Sequence, residues 1–193
     1  GPTSSGDLSS VADAIYTSDS AKDFFGRFAA VVGDVDADGN QDVMINAYRE
    51  DRTVEGNTDL NVGATYLLTD FSTGVQDIAT AATATVFGEN ALDQTGAVLA
   101  PAVDVDGDGY DDVLLSSWYA DPSGRTNAGE AYLMLGPISG EVSVSDAQAR
   151  FPGVAAGDAA GRSLAGLGDI NGDSAGDIAV GAKLADEGGI DAG

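Results

Sequence analysis

Gly33 to Ala47 reads "GDVDADGNQDVMINA": four aspartates within nine residues, then an aliphatic run. Asp34, Asp36, Asp38 and Asp42 repel one another. At ~6 Å in water each of the six pairs costs on the order of 0.7 kcal/mol. Such a loop is expected to hold a cation. Two stretches downstream share the pattern, "VDVDGDGYDDVLLSS" at Val103–Ser117 and "GDINGDSAGDIAVGA" at Gly168–Ala182. Their leading aspartates, Asp34, Asp104 and Asp169, lie 70 and 65 residues apart. A run of small and apolar residues precedes each loop ("FAAVV", "VLAPAV", "LAGL") and an aliphatic or β-branched run follows ("VMINA", "VLLSS", "IAVGA").

Further features keep the same phase. About twenty residues after the first two loops, "NVGATYLL" and "NAGEAYLML" read as strands opened by glycine. Each unit thus reads as strand, acidic turn, strand, long loop, strand and a weaker outer segment. Helical periodicity is weak, the best candidate being Val144–Arg150. The expected fold is all-β, three antiparallel units resembling propeller blades, at residues 1–71, 72–137 and 138–193. The last of these lacks its final strand or strands. Propellers close with about four to eight blades, so three units predict an incomplete ring or one completed by assembly.

Composition narrows the chemistry. The 193 residues carry 8 basic against 32 acidic side chains, a net charge of -24. Nucleic acid and anionic membrane are disfavoured partners, and divalent cations are favoured. Histidine and cysteine are absent, which removes disulfides, thiolate chemistry and histidine-based zinc sites or bases. No apolar run approaches the length of a membrane span. The opening "GPTSSGDLSS" lacks the basic and apolar regions of a signal peptide.

The first two loops are spaced D-x-D-x-D-G-x-x-D. Oxygens at positions 1, 3 and 5, a backbone carbonyl at 7 and a carboxylate at 9 can converge on one hard cation, and an all-oxygen set selects calcium. Gly39 and Gly109 at position 6 allow the positive φ of a tight wrap. An EF-hand would need glutamate at position 12, where Ile45, Leu115 and Val180 stand in aliphatic strands. The third loop has Asn171 at position 3 and Ser174 in place of glycine, so it is expected to be strained and to bind most weakly. Three divalent ions would bring the net charge from -24 to -18.

"FFGRFAAVVGDVDADGNQDVMINA" and "GRSLAGLGDINGDSAGDIAVGA" resemble the FG-GAP repeats of integrin α-subunit β-propellers and their bacterial relatives. The middle copy departs: its Phe87-Gly88 lies further upstream, and "VLLSS" lacks the family's GA. The resemblance implies a calcium site in the hairpin joining the first two strands of each blade. Carried over residue by residue, the ligands are Asp34, Asp36, Asp38, the Asn40 carbonyl and Asp42 in the first loop. The second uses Asp104, Asp106, Asp108, the Tyr110 carbonyl and Asp112. The third uses Asp169, Asn171, Asp173, the Ala175 carbonyl and Asp177. It also implies a calcium-stiffened extracellular adhesion or scaffold role without catalysis.

Two kinds of partner follow. "GPTSSG" at the start resembles "GPISG" at Gly136, and "DAG" at Asp191–Gly193 aligns with "NAG" at Asn127–Gly129. The chain is therefore expected to belong to a longer array or to associate with other copies or adjacent repeats through exposed strand edges. Tyr48 and Arg49, and Trp118, Tyr119 and Arg125, follow the second strand of the first two units. In the family such loops face away from the calcium hairpins and contact ligands. A lectin-like module, binding glycan or protein through these aromatics, is the alternative function, and packing between blades is their bland role. Paired carboxylates also serve glycosidases, but the fixed-spacing ones recur in each unit, and Glu89, Glu130 and Glu141 show no convergence. The chain is therefore read as non-catalytic.

Overall fold

The strands form where the apolar runs promised. The computed structural model describes residues 12–19, 22–54 and 56–186. The chain-end matches at "GPTSSG" and Asp191–Gly193 lie outside them. In chain order come β1 (Ala14–Thr17), β2 (Ala29–Gly33), β3 (Asp42–Ala47), the small hairpin β4 (Arg52–Val54) and β5 (Asn57–Asp59), and β6 (Ala64–Leu68). Next are β7 (Gly74–Asp77), a single helical turn at Ile78–Ala81, and β8 (Ala84–Phe87). The second unit repeats the order with β9 (Leu99–Val103), β10 (Asp112–Ser117), β11 (Glu130–Met134), β12 (Gly140–Ser143) and β13 (Ala149–Pro152). β14 (Ala160–Gly168) and β15 (Asp177–Ala182) form the third.

The first sheet runs β2-β3-β6-β8 and the second β9-β10-β11-β13, both antiparallel. Their registers correspond. Ile45 pairs with Ala29 and Tyr66, and Leu115 pairs with Leu99 and Tyr132. β14 and β15 form an antiparallel pair in the third unit. Pairing crosses both residue 71 and residue 137, because β8 pairs with β6 in the first sheet and β13 with β11 in the second. The inner strands β2, β9 and β14 lie side by side, and the barrel is not closed. This is an incomplete propeller.

Burial on both faces explains why β10 is apolar along its centre instead of alternating. Val113 and Leu115 point into a core shared with Val32, Met44 and Leu67 of the first sheet. Leu114 points the other way, toward Leu164 and Ile178 of the third. β6 behaves alike: Leu67 joins the core between the sheets, while Tyr66 and Leu68 pack with Tyr16, Phe25 and Ile78.

The antiparallel blades are as expected, with one addition and one correction. Two short strands extend the pairing in parallel, β7 on β1 and β12 on β8. The connector of one unit is thereby laced onto an outer strand that precedes it. The correction concerns Val144–Arg150, which is not a helix. A 3₁₀ turn covers Val144–Asp146, capped by Ser143, and then Ala149 and Arg150 enter β13 because Leu133 and Tyr132 offer them ladder partners.

Candidate metal centres

Each acidic loop is the hairpin between an inner strand and its neighbour: β2–β3, β9–β10 and β14–β15. The leading aspartate organises the turn by accepting backbone N–H groups. Asp34 accepts from Asp38 (3.0 Å) and Gly39 (2.9 Å). Asp104 accepts from Gly107 (2.7 Å), Asp108 (3.1 Å) and Gly109 (3.0 Å). Asp169 accepts from Gly172 (2.6 Å), Asp173 (3.1 Å) and Ser174 (2.9 Å). Position 3 accepts from position 5 in every loop, through Asp36, Asp106 and Asn171. Position 5 accepts from the N–H of position 7, which is Asn40, Tyr110 or Ala175.

The ninth position ties the turn to its strands. One carboxylate oxygen of Asp42, Asp112 and Asp177 accepts the N–H of Val35 (2.7 Å), Val105 (2.8 Å) and Ile170 (2.9 Å). The second oxygen separates the loops. In Asp112 it accepts Gly136 N–H at 2.9 Å, and in Asp177 the amide of Asn171 at 3.0 Å. In Asp42, which is 0% exposed, Oδ1 is buried without a hydrogen-bond partner. A buried carboxylate without a partner is costly, and a cation is the natural answer to it.

Carboxylate oxygens of Asp34, Asp36 and Asp42 lie within 4.8 Å of one another, as do those of Asp104, Asp106 and Asp108. Among the described residues the third loop makes no such group. There the Asn171 amide donates to Asp173 (3.1 Å) and Asp177, placing a neutral donor among the acids. Burial, helped by Asp36, Asp34 and Asp38, pushes the Asp42 carboxyl up to about 6 against the pull of Val35 N–H. Burial also raises Asp112, opposed by the N–H groups of Val105 and Gly136. Asp169 is lowered by the backbone donors of Ser174 and Gly172.

Backbone conformation repeats at position 6, with φ of +91° at Gly39, +95° at Gly109 and +72° at Ser174. Only the last carries a Cβ into the left-handed region, so it is strained. Position 4 is left-handed as well, at Ala37, Gly107 and Gly172. Sequence reasoning missed it, although two of the three copies have glycine there. It also missed Asp111. Its Oδ2 accepts Asp34 N–H at 2.8 Å and its own N–H reaches the Asp34 carbonyl at 2.9 Å, tying the second loop to the first. The signal was the doubled acid in "DGYDD".

The loops after the second strands lie on the opposite face, and Tyr48 is largely buried. Its ring is flanked by Phe24 (5.5 Å), Arg27 (5.1 Å) and the exposed Arg49 (5.7 Å). Trp118 is half-buried with the Arg162 guanidinium 3.8 Å from its ring centroid. Tyr119 is exposed, and Arg125 donates to the Gly153 carbonyl at 3.0 Å. Tyr48 and Trp118 line one recess, while Tyr119 lines two others, one of them together with Trp118 and Arg162. Glu130 is held by Arg150 and Tyr132, Glu89 shares Arg150, and Glu141 stands in β12.

Comparison with known proteins matches residues 95–134 to the FG-GAP repeat. Mouse (Mus musculus) integrin alpha-IIb is 32% identical over 161 residues, covering 82% of this chain and 15% of the relative. Human (Homo sapiens) integrin alpha-IIb is 33% identical over 170 residues, covering 85% and 15%. Drosophila melanogaster integrin alpha-PS2 is 30% identical over 172 residues, covering 86% and 12%. The chain thus spans less than a sixth of the length of these relatives.

Proposed function

Because the chain is an FG-GAP repeat protein similar to integrin alpha chains, we propose that it is an extracellular adhesion or scaffold module whose blades are stiffened by calcium. The ions sit in the three hairpins, on the residues named above by spacing and resemblance, and the third binds most weakly. The observation that carries this reading is the buried, unpartnered Asp42 Oδ1 within 4.8 Å of Asp34 and Asp36 oxygens. Each position also offers oxygen alone, which suits a hard, geometrically tolerant cation.

Calcium makes the cluster habitable by replacing like-charge repulsion with attraction. At free calcium 100 times the dissociation constant each site adds about 2.7 kcal/mol, a large share of the ~5–15 kcal/mol stability of a domain. Titration calorimetry of the chelator-stripped chain should show three exothermic or endothermic binding events, with magnesium much weaker. Absence of binding at millimolar calcium refutes the metal reading.

The partners proposed are other copies or adjacent repeats. Among the described residues β15 is paired on one side only, and β2 presents Val31 to solvent. Such edges invite strand addition. Sedimentation velocity in calcium at micromolar concentration should show concentration-dependent association, and a sharp monomer boundary refutes it. No helix among the described residues is long and apolar enough to cross a membrane.

A further inference from the structure

We propose that the recess between the first two sheets, on the face away from the acidic loops, binds a uronic-acid residue of a polysaccharide, with its ring against Trp118 and its carboxylate on Arg27. The repeats themselves reveal the gap in the pattern. Arg27, Ala97 and Arg162 each follow a glycine, Gly26, Gly96 or Gly161, that stands just before an inner strand or in its first residues. Tyr48 and Trp118 each follow the second strand of their sheet. Arg162 of the third unit lies over Trp118 of the second. The corresponding residue for Tyr48 is Ala97, which is too short to reach it. What remains is a recess of about 270 Å³ lined by Arg27, Phe28, Tyr48, Ala97, Val98 and Trp118.

The lining states the chemistry. Asn46 also borders the recess, but its amide is committed to Phe28 N–H and the Gly96 carbonyl. The walls are therefore flat and apolar, and the free polar groups are donors. Arg27 is exposed and uses one N–H on the Tyr48 hydroxyl (2.7 Å), leaving others for a carboxylate, which a guanidinium binds as a fork. The Trp118 Nε1–H is buried without an acceptor. Among the described residues no carboxylate lines the recess, in a chain with 32 acidic and 8 basic residues.

The basic residues avoid the acidic-loop face. None of the eight basic residues falls in the acidic loops or in residues 69–83 and 135–147, the connections beside them. The acidic-loop face therefore repels an anion, while the opposite face sets Arg27, Arg49 and Arg125 among Asp23, Glu50, Asp51, Glu89, Asp93 and Asp121, so that attraction is confined to the recess itself. At about 270 Å³ the recess falls just below the ~300–1,000 Å³ of drug-sized sites, so it takes one ring. An acidic peptide side chain brings a carboxylate but no ring, and a neutral sugar leaves Arg27 unanswered.

The chain has one tryptophan, whose emission reports on this recess and on the neighbouring one that it lines with Tyr119 and Arg162, and the substitutions at Arg27 and Ala97 assign the signal to the first. The probes are galacturonate, glucuronate-containing and mannuronate oligosaccharides, titrated in chelator, with methyl-esterified galacturonate oligomers as the neutral match. At least one uronate series should give a saturable change, weakened at least tenfold by Arg27→Gln and by added salt, and absent for the ester. Ala97→Arg, which places in the recess the group that Arg162 supplies in the next unit, should also abolish binding at an unchanged melting temperature. No change with any uronate overturns the proposal. So does equal binding of the ester, equal binding of an oligoglutamate peptide, or indifference to both substitutions. Because the titration is run without calcium, its outcome is separable from that of the metal reading.

Discussion

Replacing Asp42 by asparagine should stabilise the protein in chelator and destabilise it in calcium. Asp34, Asp36 and Asp42 bring carboxylate oxygens within 4.8 Å of one another. Even at the dielectric of bulk water each pair at that distance repels by about 0.9 kcal/mol. The Asp42→Asn change removes two of the three pairs, about 1.7 kcal/mol, while the new amide carbonyl can still accept the Val35 N–H. The third loop shows that an amide is tolerated among these acids, since Asn171 donates to both Asp173 and Asp177. A chain of this length shifts by about 2–4 °C per kcal/mol, so the melting temperature in chelator should rise by about 3–7 °C.

In calcium the balance reverses. Wild type gains about 2.7 kcal/mol from the first site at 100 times its dissociation constant, and the Asp42→Asn variant forfeits most of that. The variant then ends about 1 kcal/mol below wild type. Differential scanning calorimetry of both proteins in chelator and in calcium reads the crossing directly. A loss in both conditions would make Asp42 a purely structural cap, and an equal gain in both would mean that the first loop holds no metal.

Burial, with Asp23 beside it, pushes Glu50 up to about 7. Its folded form holds a proton more tightly than the unfolded chain, so stability present below about pH 4.5 is lost as pH rises through 7. Glu50→Gln should therefore leave the melting temperature unchanged near pH 5 and raise stability at pH 8 by about 2 kcal/mol, discounted for partial exposure. Ser174→Gly should stabilise by about 0.5–1 kcal/mol in urea titration, relief of the positive φ being partly offset by the freer unfolded chain. Arg150→Met should cost about 3 kcal/mol by leaving buried Glu130 unpaired, and adding Glu130→Gln should recover more than half of it.

The strands of each hairpin were legible because burial on two faces demands an unbroken apolar run, and "VMINA" and "VLLSS" supply it. The glycine-led third strands were legible for the same reason. The parallel strands Gly74–Asp77 and Gly140–Ser143 were not, since their exposed and half-buried four-residue segments carry little hydrophobic pattern. Val144–Arg150 misled because its local propensity favours helix, whereas β11 offers Ala149 and Arg150 a ladder. At the loops, spacing showed which oxygens can converge. It did not show that Asp42 keeps one oxygen without a partner, because that depends on burial under the inner strand. The aromatic face was half legible. Tyr48 and Trp118 stood out by type, but their environment is set by Arg27, Ala97 and Arg162, residues that speak only when the three units are aligned.

The same alignment shows that the loops differ in their surroundings as well as in their own residues. The first is braced from outside, since Asp111 of the second unit holds both the N–H and the carbonyl of Asp34. The second is braced from within its sheet by Gly136 on Asp112. Gly176 occupies in the third loop the place of Asp111, and an added Cβ there would meet Val103 and come within 3.2 Å of the Asp104 carbonyl. A glycine in that place permits close packing against the second loop but carries no side chain to brace it. Gly176→Asp would therefore clash with the second loop rather than bridge to it. Asn171→Asp restores the missing carboxylate but removes the amide that quiets Asp173 and Asp177, so it should lower the melting temperature in chelator. Only in calcium should it recover the difference.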